Sequence, residues 1–214
     1  MTQQDDQATE EQIAAALAPI LAELAAQGAP VAPSAIETPI DEAVGAMLLA
    51  YLLRVGFEMI RSFRQPEPPW AERIDELAYR YSNQGVRRAA EWTREAVHHW
   101  PDLAPGTEMA DRVDRAANSV DPIAVGVTTA SREMVRRDLA VDLGSTRKTW
   151  RTKKDTRVRP SHFAMEGQSV PLDRPFISGA GVRIWHPGDP MAPLSETIMC
   201  RCRLSYRLRR LEAA

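Results

Sequence analysis

The stretch ETIMCRCRLSYRL (residues 196–208) decides how the end of this chain folds. Ile198, Cys200, Cys202, Leu204 and Tyr206 fall on one side of a two-residue alternation, and Arg201, Arg203, Ser205 and Arg207 on the other. Successive side chains of a strand point to opposite faces, so the pattern predicts a half-buried strand. Working upstream, TRKTWRT (146–152) and GQSVPLD (167–173) also read as strands. Residues 155–159 read as a turn and a basic crossing, SGAGVRIW (178–185) as a glycine-rich loop, and HPGDPMAP (186–193) as a turn. Beyond Gly144 the chain is therefore expected to form a small β-rich, loop-rich module.

Before Gly144 the apolar spacing becomes helical. Ile13, Leu17, Ile20, Leu21 and Leu24 make one stripe. Thr9 with Gln12 reads as a capping box, which leaves residues 1–8 frayed and the first helix an arm. Gly28, Pro30 and Pro33 end that helix. Thr38 and Pro39 then read as N-cap and first-turn proline of a core helix. A long helix is expected over 70–100, with His98 and His99 near its C-terminal carbonyls. Residues 101–106 read as a loop, with two shorter helices over 107–119 and 121–143, the second opened by Asp121 and Pro122. The expected class is α+β: an elongated N-terminal helical region followed by the small C-terminal module. The divisions fall at 1–36 (helix and linker), 37–143 (helical region) and 144–214.

Composition narrows the function classes. The chain has 214 residues, 44% hydrophobic and 26% charged, an ordinary globular balance with enough length for a core. Charge is uneven: residues 1–100 hold 15 acids against 8 bases, and the remainder 14 against 19. The basic half suits an acidic protein surface or nucleic acid. The acidic, polar start is not that of a signal peptide. AVGAMLLAYLL (43–53) would rise only about 16 Å as helix, roughly half a bilayer core, so it reads as a buried helix and no membrane partner is expected.

Two cysteines do not make a disulfide framework. Cys200 and Cys202, at i and i+2, share a strand face. They are candidate metal ligands with His162 as third donor and His186 or Asp155 as fourth, since a closed zinc site takes four. As small residues they equally suit a buried, inert role, and a redox or nucleophilic role needs a nearby base. Asp155, Arg157, Arg159 and His162 form a polar cluster, open to turn capping and ion pairing or to acid–base work. Candidate contacts to DNA or a partner are Arg136, Arg137, Lys148, Lys153, Lys154, Arg201 and Arg203. The glycines at 179, 181 and 188 lack the strand and helix context of a phosphate-binding loop.

The ordered pieces KTWRT (148–152), Asp155, RVRPSH (157–162), EGQSVPLDRPF (166–176), HPGDPMAP (186–193) and CRC (200–202) resemble the signature of the phage Mu F-like head morphogenesis family, minor capsid proteins of tailed phages. The family's tryptophan falls on Trp150, its acid on Asp155, its histidine on His162, its glycine on Gly167, its PGDP turn on Pro187, Gly188, Asp189 and Pro190, and its cysteines on Cys200 and Cys202. Arg159 lies within the same run. Met199 stands where the family commonly has asparagine, and Glu166 where small polar residues or aspartate are common. The resemblance implies a non-enzymatic virion protein at the capsid interior or portal vertex, present in host cytoplasm during assembly. Its implied partners are the portal protein, the major capsid protein or both; several copies around a symmetric assembly are a natural arrangement for such a protein, and the basic face suits non-specific contact with packaged DNA. It also implies a structural role for the cysteine–histidine cluster, by zinc or by packing. The alternatives are, within the same resemblance, a DNA-contacting head-completion protein, and, from the residues, a nuclease- or transferase-like enzyme using His162 and Asp155.

Overall fold

In the computed structural model the chain is described over residues 3–27, 33–98 and 109–208. Four long helices come first: α1 (Gln3–Gln27), α2 (Pro33–Ser62), α3 (Ala71–His98) and α4 (Met109–Asp142). Each packs on its neighbour in sequence, and α4 returns to α1, closing a four-helix bundle. The core joins Leu17 and Leu21 of α1, Ile40, Leu48 and Leu52 of α2, Ile74 and Leu77 of α3, and Val127, Val135 and Leu139 of α4. Each such side chain contributes about 1.5–3 kcal/mol on burial. Helix Ala35–Ser62 is long and apolar enough to cross a membrane by length and composition, but its Ile40, Val44, Leu48, Leu52 and Ile60 belong to this core.

Several boundaries differ from the sequence reading. Residues 3–8 are helical rather than frayed, and α1 is a bundle member, not an arm. Thr9 is no N-cap: its hydroxyl donates to the Asp5 carbonyl one turn back. Pro39 and Pro122 lie inside α2 and α4, so 109–142 is one helix instead of two. Each proline removes one helical hydrogen bond, but the buried stripe continues across Pro122 through Ala116, Val120, Ile123, Ala124 and Val127. Packing outweighs the local break. The loop expected at 101–106, the hinge residues 28–32 and the His99 end of α3 lie outside the described residues, as does the His98 side chain.

The character changes after α4. Strands β1 (Ser145–Arg151), β2 (Ser169–Pro171) and β5 (Arg203–Leu208) form an antiparallel sheet in the order β2-β1-β5, with Trp150 opposite Leu204 and Lys148 opposite Tyr206. Strands β3 (Phe176–Ile177) and β4 (Arg183–Ile184) form a second antiparallel pair. Two single-turn helices, α5 (Pro160–Phe163) and α6 (Leu194–Thr197), complete the module. Its own core gathers Trp150, Met165, Phe176, Ile184, Cys200, Cys202 and Leu204. The chain is thus α+β, with a helical N-terminal region and a small sheet-bearing, loop-rich C-terminal one.

The expected strand over 196–208 begins only at Arg203. Its first part is α6, Ile198 is 42% exposed, and Met199 takes a left-handed φ of +53°. The alternation still holds where the chain passes inward, with Cys200, Cys202 and Leu204 all buried.

Helix α4 joins the two regions. Residues 123–133 are buried throughout, because the bundle covers one face and the module the other. Thr129 donates to the Cys200 carbonyl, Arg132 to that of Cys202 and Arg136 to that of Leu204, each at 2.9 Å. Glu133 accepts the Leu204 N–H at 3.1 Å. Positions i, i+3, i+4 and i+7 of one helix face thereby read alternate peptide groups of an extended segment. The PGDP turn docks nearby: Gly188 has φ +72°, and a Cβ there would lie 3.0–3.1 Å from Ala130 of α4.

Candidate metal centre

His162, Cys200 and Cys202 come together. They are a buried group whose donor atoms all lie within 4.8 Å of one another, and they are able to hold a metal ion. His162 Nδ1 is 3.6 Å from each sulfur. Local structure explains the meeting. Pro160 opens α5 and aims His162 inward, where it is 2% exposed. The left-handed step at Met199 turns the chain so that Cys200 and Cys202 enter the core before β5 begins. The sequence singles out these three residues, although the cysteines sit on a bend just ahead of the strand rather than on it.

The surroundings favour a thiolate at Cys200 and fix the ring. Trp150, fully buried on β1, packs edge-on against His162 with ring centroids 5.2 Å apart. Its indole N–H has no hydrogen-bond partner of good geometry and favours the Cys202 thiolate. Glu196 Oε2 lies 2.9 Å from His162 Nε2, in a contact bent away from ideal hydrogen-bond geometry. Glu196 is held by the Ser161 hydroxyl at 3.0 Å and that of Ser178 at 3.4 Å. A carboxylate on Nε2 leaves Nδ1 to face the sulfurs, the arrangement typical of metal-ligating histidines. Cys202 donates toward Cys200 and, with His162 adjacent, holds the Cys200 thiol well below its usual range; the Cys200 negative charge and burial push Cys202 up.

Neither expected fourth ligand joins the group. Asp155 caps the Arg157 N–H at 3.1 Å and takes the Arg201 guanidinium on both oxygens at 2.9 and 2.8 Å. Its carboxyl is thereby held below the usual range in spite of a desolvation cost. The buried His186 directs Nδ1 to the Pro187 carbonyl at 3.0 Å, and burial pushes its imidazole down. The polar cluster of Asp155, Arg157, Arg159 and His162 therefore divides. Arg159 donates to the carbonyls of Glu196 and Ile198, so the 155–159 turn is tied to the cysteine segment by two arginine bridges. Glu196, the carboxylate that does reach His162, was missed; its one legible signal is an acid four residues ahead of a CxC.

The other motif positions have structural work. Gly167 takes φ +77° and donates its N–H to the Trp150 carbonyl at 3.0 Å. Glu166 accepts the Thr152 hydroxyl at 2.8 Å together with the Thr152 N–H, and these outweigh desolvation to hold its carboxyl low. Asp189 accepts the N–H groups of Trp185 at 2.7 Å and Met191 at 2.9 Å, which closes the PGDP turn.

Most of the expected DNA- or partner-contacting cations are engaged internally. Lys148 is fully buried, donating to the Trp185 carbonyl at 2.9 Å between the rings of Phe176 and Trp185, so it is a core residue and not the DNA or partner contact its charge suggests. Arg136 caps the Leu204 carbonyl, Arg201 pairs with Asp155 and Arg203 with the buried Asp6. Arg137 pairs with Asp138, and Lys154 approaches Glu166 at 3.8 Å. Arg201 and Arg203 are thus ion-paired, whereas Arg207 on the same face is exposed; Arg209 and Arg210 lie outside the described residues. A small cleft beside the metal group, room for about one water at ≈ 20 Å³, is lined by Lys153, Arg157, Arg159 and Arg201 and by the three donors themselves. Comparison of the chain with protein-family models, with curated proteins and with solved structures finds no match.

Proposed function

We propose that the chain is a non-enzymatic minor capsid or head morphogenesis protein of a tailed phage. The helical bundle supplies the docking surface for portal or inner capsid subunits. The C-terminal module is a rigid contact domain whose core is cross-linked by zinc on Cys200 Sγ, Cys202 Sγ and His162 Nδ1. The observation that carries this reading is convergence. Trp150, His162 and the two cysteines, separate pieces of the sequence that resembles the Mu F-like signature, share one buried cluster. The remaining motif positions close turns around it. Such a motif is a folding unit, as a structural protein requires.

The donor geometry supports zinc within that reading. A Zn–S bond of about 2.3 Å and a Zn–N bond of about 2.1 Å at a tetrahedral angle span about 3.6 Å between nitrogen and sulfur. Both His162–cysteine separations are 3.6 Å. Two thiolates and an imidazole are the soft donor set zinc prefers. The ion would bind together strands and loops too short to bury a large core.

The deciding experiment locates the chain in intact particles and prohead intermediates by mass spectrometry and electron microscopy. A few symmetric copies at the portal vertex or capsid interior are expected. Normal heads that never contain the chain, assembled equally well without it, would refute the proposal. Zinc is tested separately, by elemental analysis of the purified protein.

A further inference from the structure

The metal group has three protein donors and a cleft where a fourth would sit. Three acids or imidazoles nearby are held elsewhere. Glu196 is fixed on Nε2, the ring nitrogen turned away from the sulfurs, Asp155 is clamped by Arg201, and His186 faces Pro187. What borders the donors instead is the cleft lined by Lys153, Arg157, Val158, Arg159, Met199 and Arg201. Arg159 and Arg201 are spent on carbonyls and on Asp155. Lys153 is acted on through space by Asp6 and Glu10, and Arg157 acts in the same way on Asp155.

We propose that the fourth coordination position of this centre opens into the basic cleft and takes an exchangeable water that a small anion displaces. The inference rests on the metal reading above and goes beyond it. A closed structural site would have four protein ligands; an open one keeps a water or ligand in the fourth position. Charge argues for the anion. A divalent ion with two thiolates and a neutral imidazole is uncharged overall, and the cleft is lined by four cations, Lys153, Arg157, Arg159 and Arg201, and by no carboxylate, although Asp6, Glu10 and Asp155 act on them from outside it, so the cleft is basic. Size argues for a small one, because the space holds about one water-sized group. Displacing the water forms one metal–anion bond and breaks one metal–water bond, with no redox change.

The test uses the full chain with Co²⁺ in place of zinc, and thiocyanate or azide as probe. Tetrahedral cobalt reports its ligands through its visible bands. A saturable spectral change on adding the anion is expected. In Lys153→Met and Arg157→Met the cobalt stoichiometry should stay at that of the parent while anion affinity falls about twofold to fivefold, the range for a partly exposed charge contact. Cobalt bound in a tetrahedral site that no anion perturbs would mean that the protein fills the fourth position, and would overturn this inference while leaving the metal reading intact. Failure to bind cobalt or zinc at all would overturn both. An anion effect equally strong in both variants would remove the basic cleft from the argument and overturn the proposal in that form.

Discussion

Asp6 and Arg132, 126 residues apart, form an ion pair of 2.8 Å between side chains that are each 1% exposed. Asp6 also accepts the Tyr51 hydroxyl at 2.8 Å and meets Arg203, while Arg132 reaches Glu133 at 2.9 Å and the Cys202 carbonyl. The first turns of the chain are thereby bonded to the residue that closes the metal group. Replacing Asp6 by Ala leaves the buried Arg132 with Glu133 as its one carboxylate and strips Tyr51 and Arg203 of their acceptor; breaking a buried pair in comparable sites costs about 3–5 kcal/mol. Urea unfolding of the full chain should show a loss of that order. A change below about 1 kcal/mol would mean that α1 does not hold this position.

The metal reading makes a prediction about stability. A strong chelator should lower the melting temperature of the parent protein, because the preformed donor group binds the ion more tightly than the unfolded chain does. In Cys202→Ser the melting temperature should already be lower and should no longer respond to chelator. Differential scanning calorimetry with and without chelator checks this. A parent insensitive to chelator, with no zinc by elemental analysis, would place the two cysteines with the packing residues.

The class of the fold, the change of character near Gly144 and the meeting of three candidate metal donors were all legible in the sequence. The two periodicities carry the first two, and the i, i+2 cysteines on a buried face carry the third. The helix ends were not. Pro39 and Pro122 are helix-start signals by local chemistry, but the helices already run before them, from Pro33 and Met109, because the buried stripes continue across both prolines. Asp6 looked like part of a polar leader because nothing local marks its partners, which lie 45, 126 and 197 residues away. Glu196 and Lys148 were hidden for the same reason. A buried charge is recognisable only by what surrounds it, and its surroundings are set by tertiary packing.

Met199 occupies a left-handed conformation, φ +53°, with its side chain 41% exposed. L-residues pay roughly 1–2 kcal/mol there, and asparagine is among the few that tolerate it. Met199→Asn should therefore stabilise the protein by about 0.5–1 kcal/mol, with little packing lost. This is also the residue that the resembling family commonly has before its first cysteine. A urea midpoint unchanged or lowered in the variant would show that the methionine's contacts outweigh the backbone term.

Gly188 and Gly181 have similar positive φ angles, +72° and +77°, yet their surroundings differ. A Cβ at 181 meets nothing within 4 Å; one at 188 lies 3.0 Å from the Ala130 nitrogen in α4. Gly181→Ala should cost about 1–2 kcal/mol, the left-handed penalty alone. Gly188→Ala should cost more, because the PGDP turn must also move off α4. Equal losses in the two variants would mean that the turn is not seated on the helix.

Lys148 gives a pH signature. Burial, with the Arg137 charge adding to it, pushes its amine down to about 8, although the Trp185 carbonyl and two aromatic faces accept it. In the unfolded chain the same amine titrates near 10.4. Below about pH 8 both states carry the proton, and the cost of burying the charge is fully present. Between about 8 and 10.4 the unfolded state binds more protons, so stability rises with pH. Above that window the two states again match. The unfolding free energy of the parent minus that of Lys148→Met should therefore climb from pH 8 to pH 10. Taking the difference cancels the titration of the cysteines, which both proteins share. A flat difference across that range would mean that the ammonium is as well solvated in the fold as in the open chain.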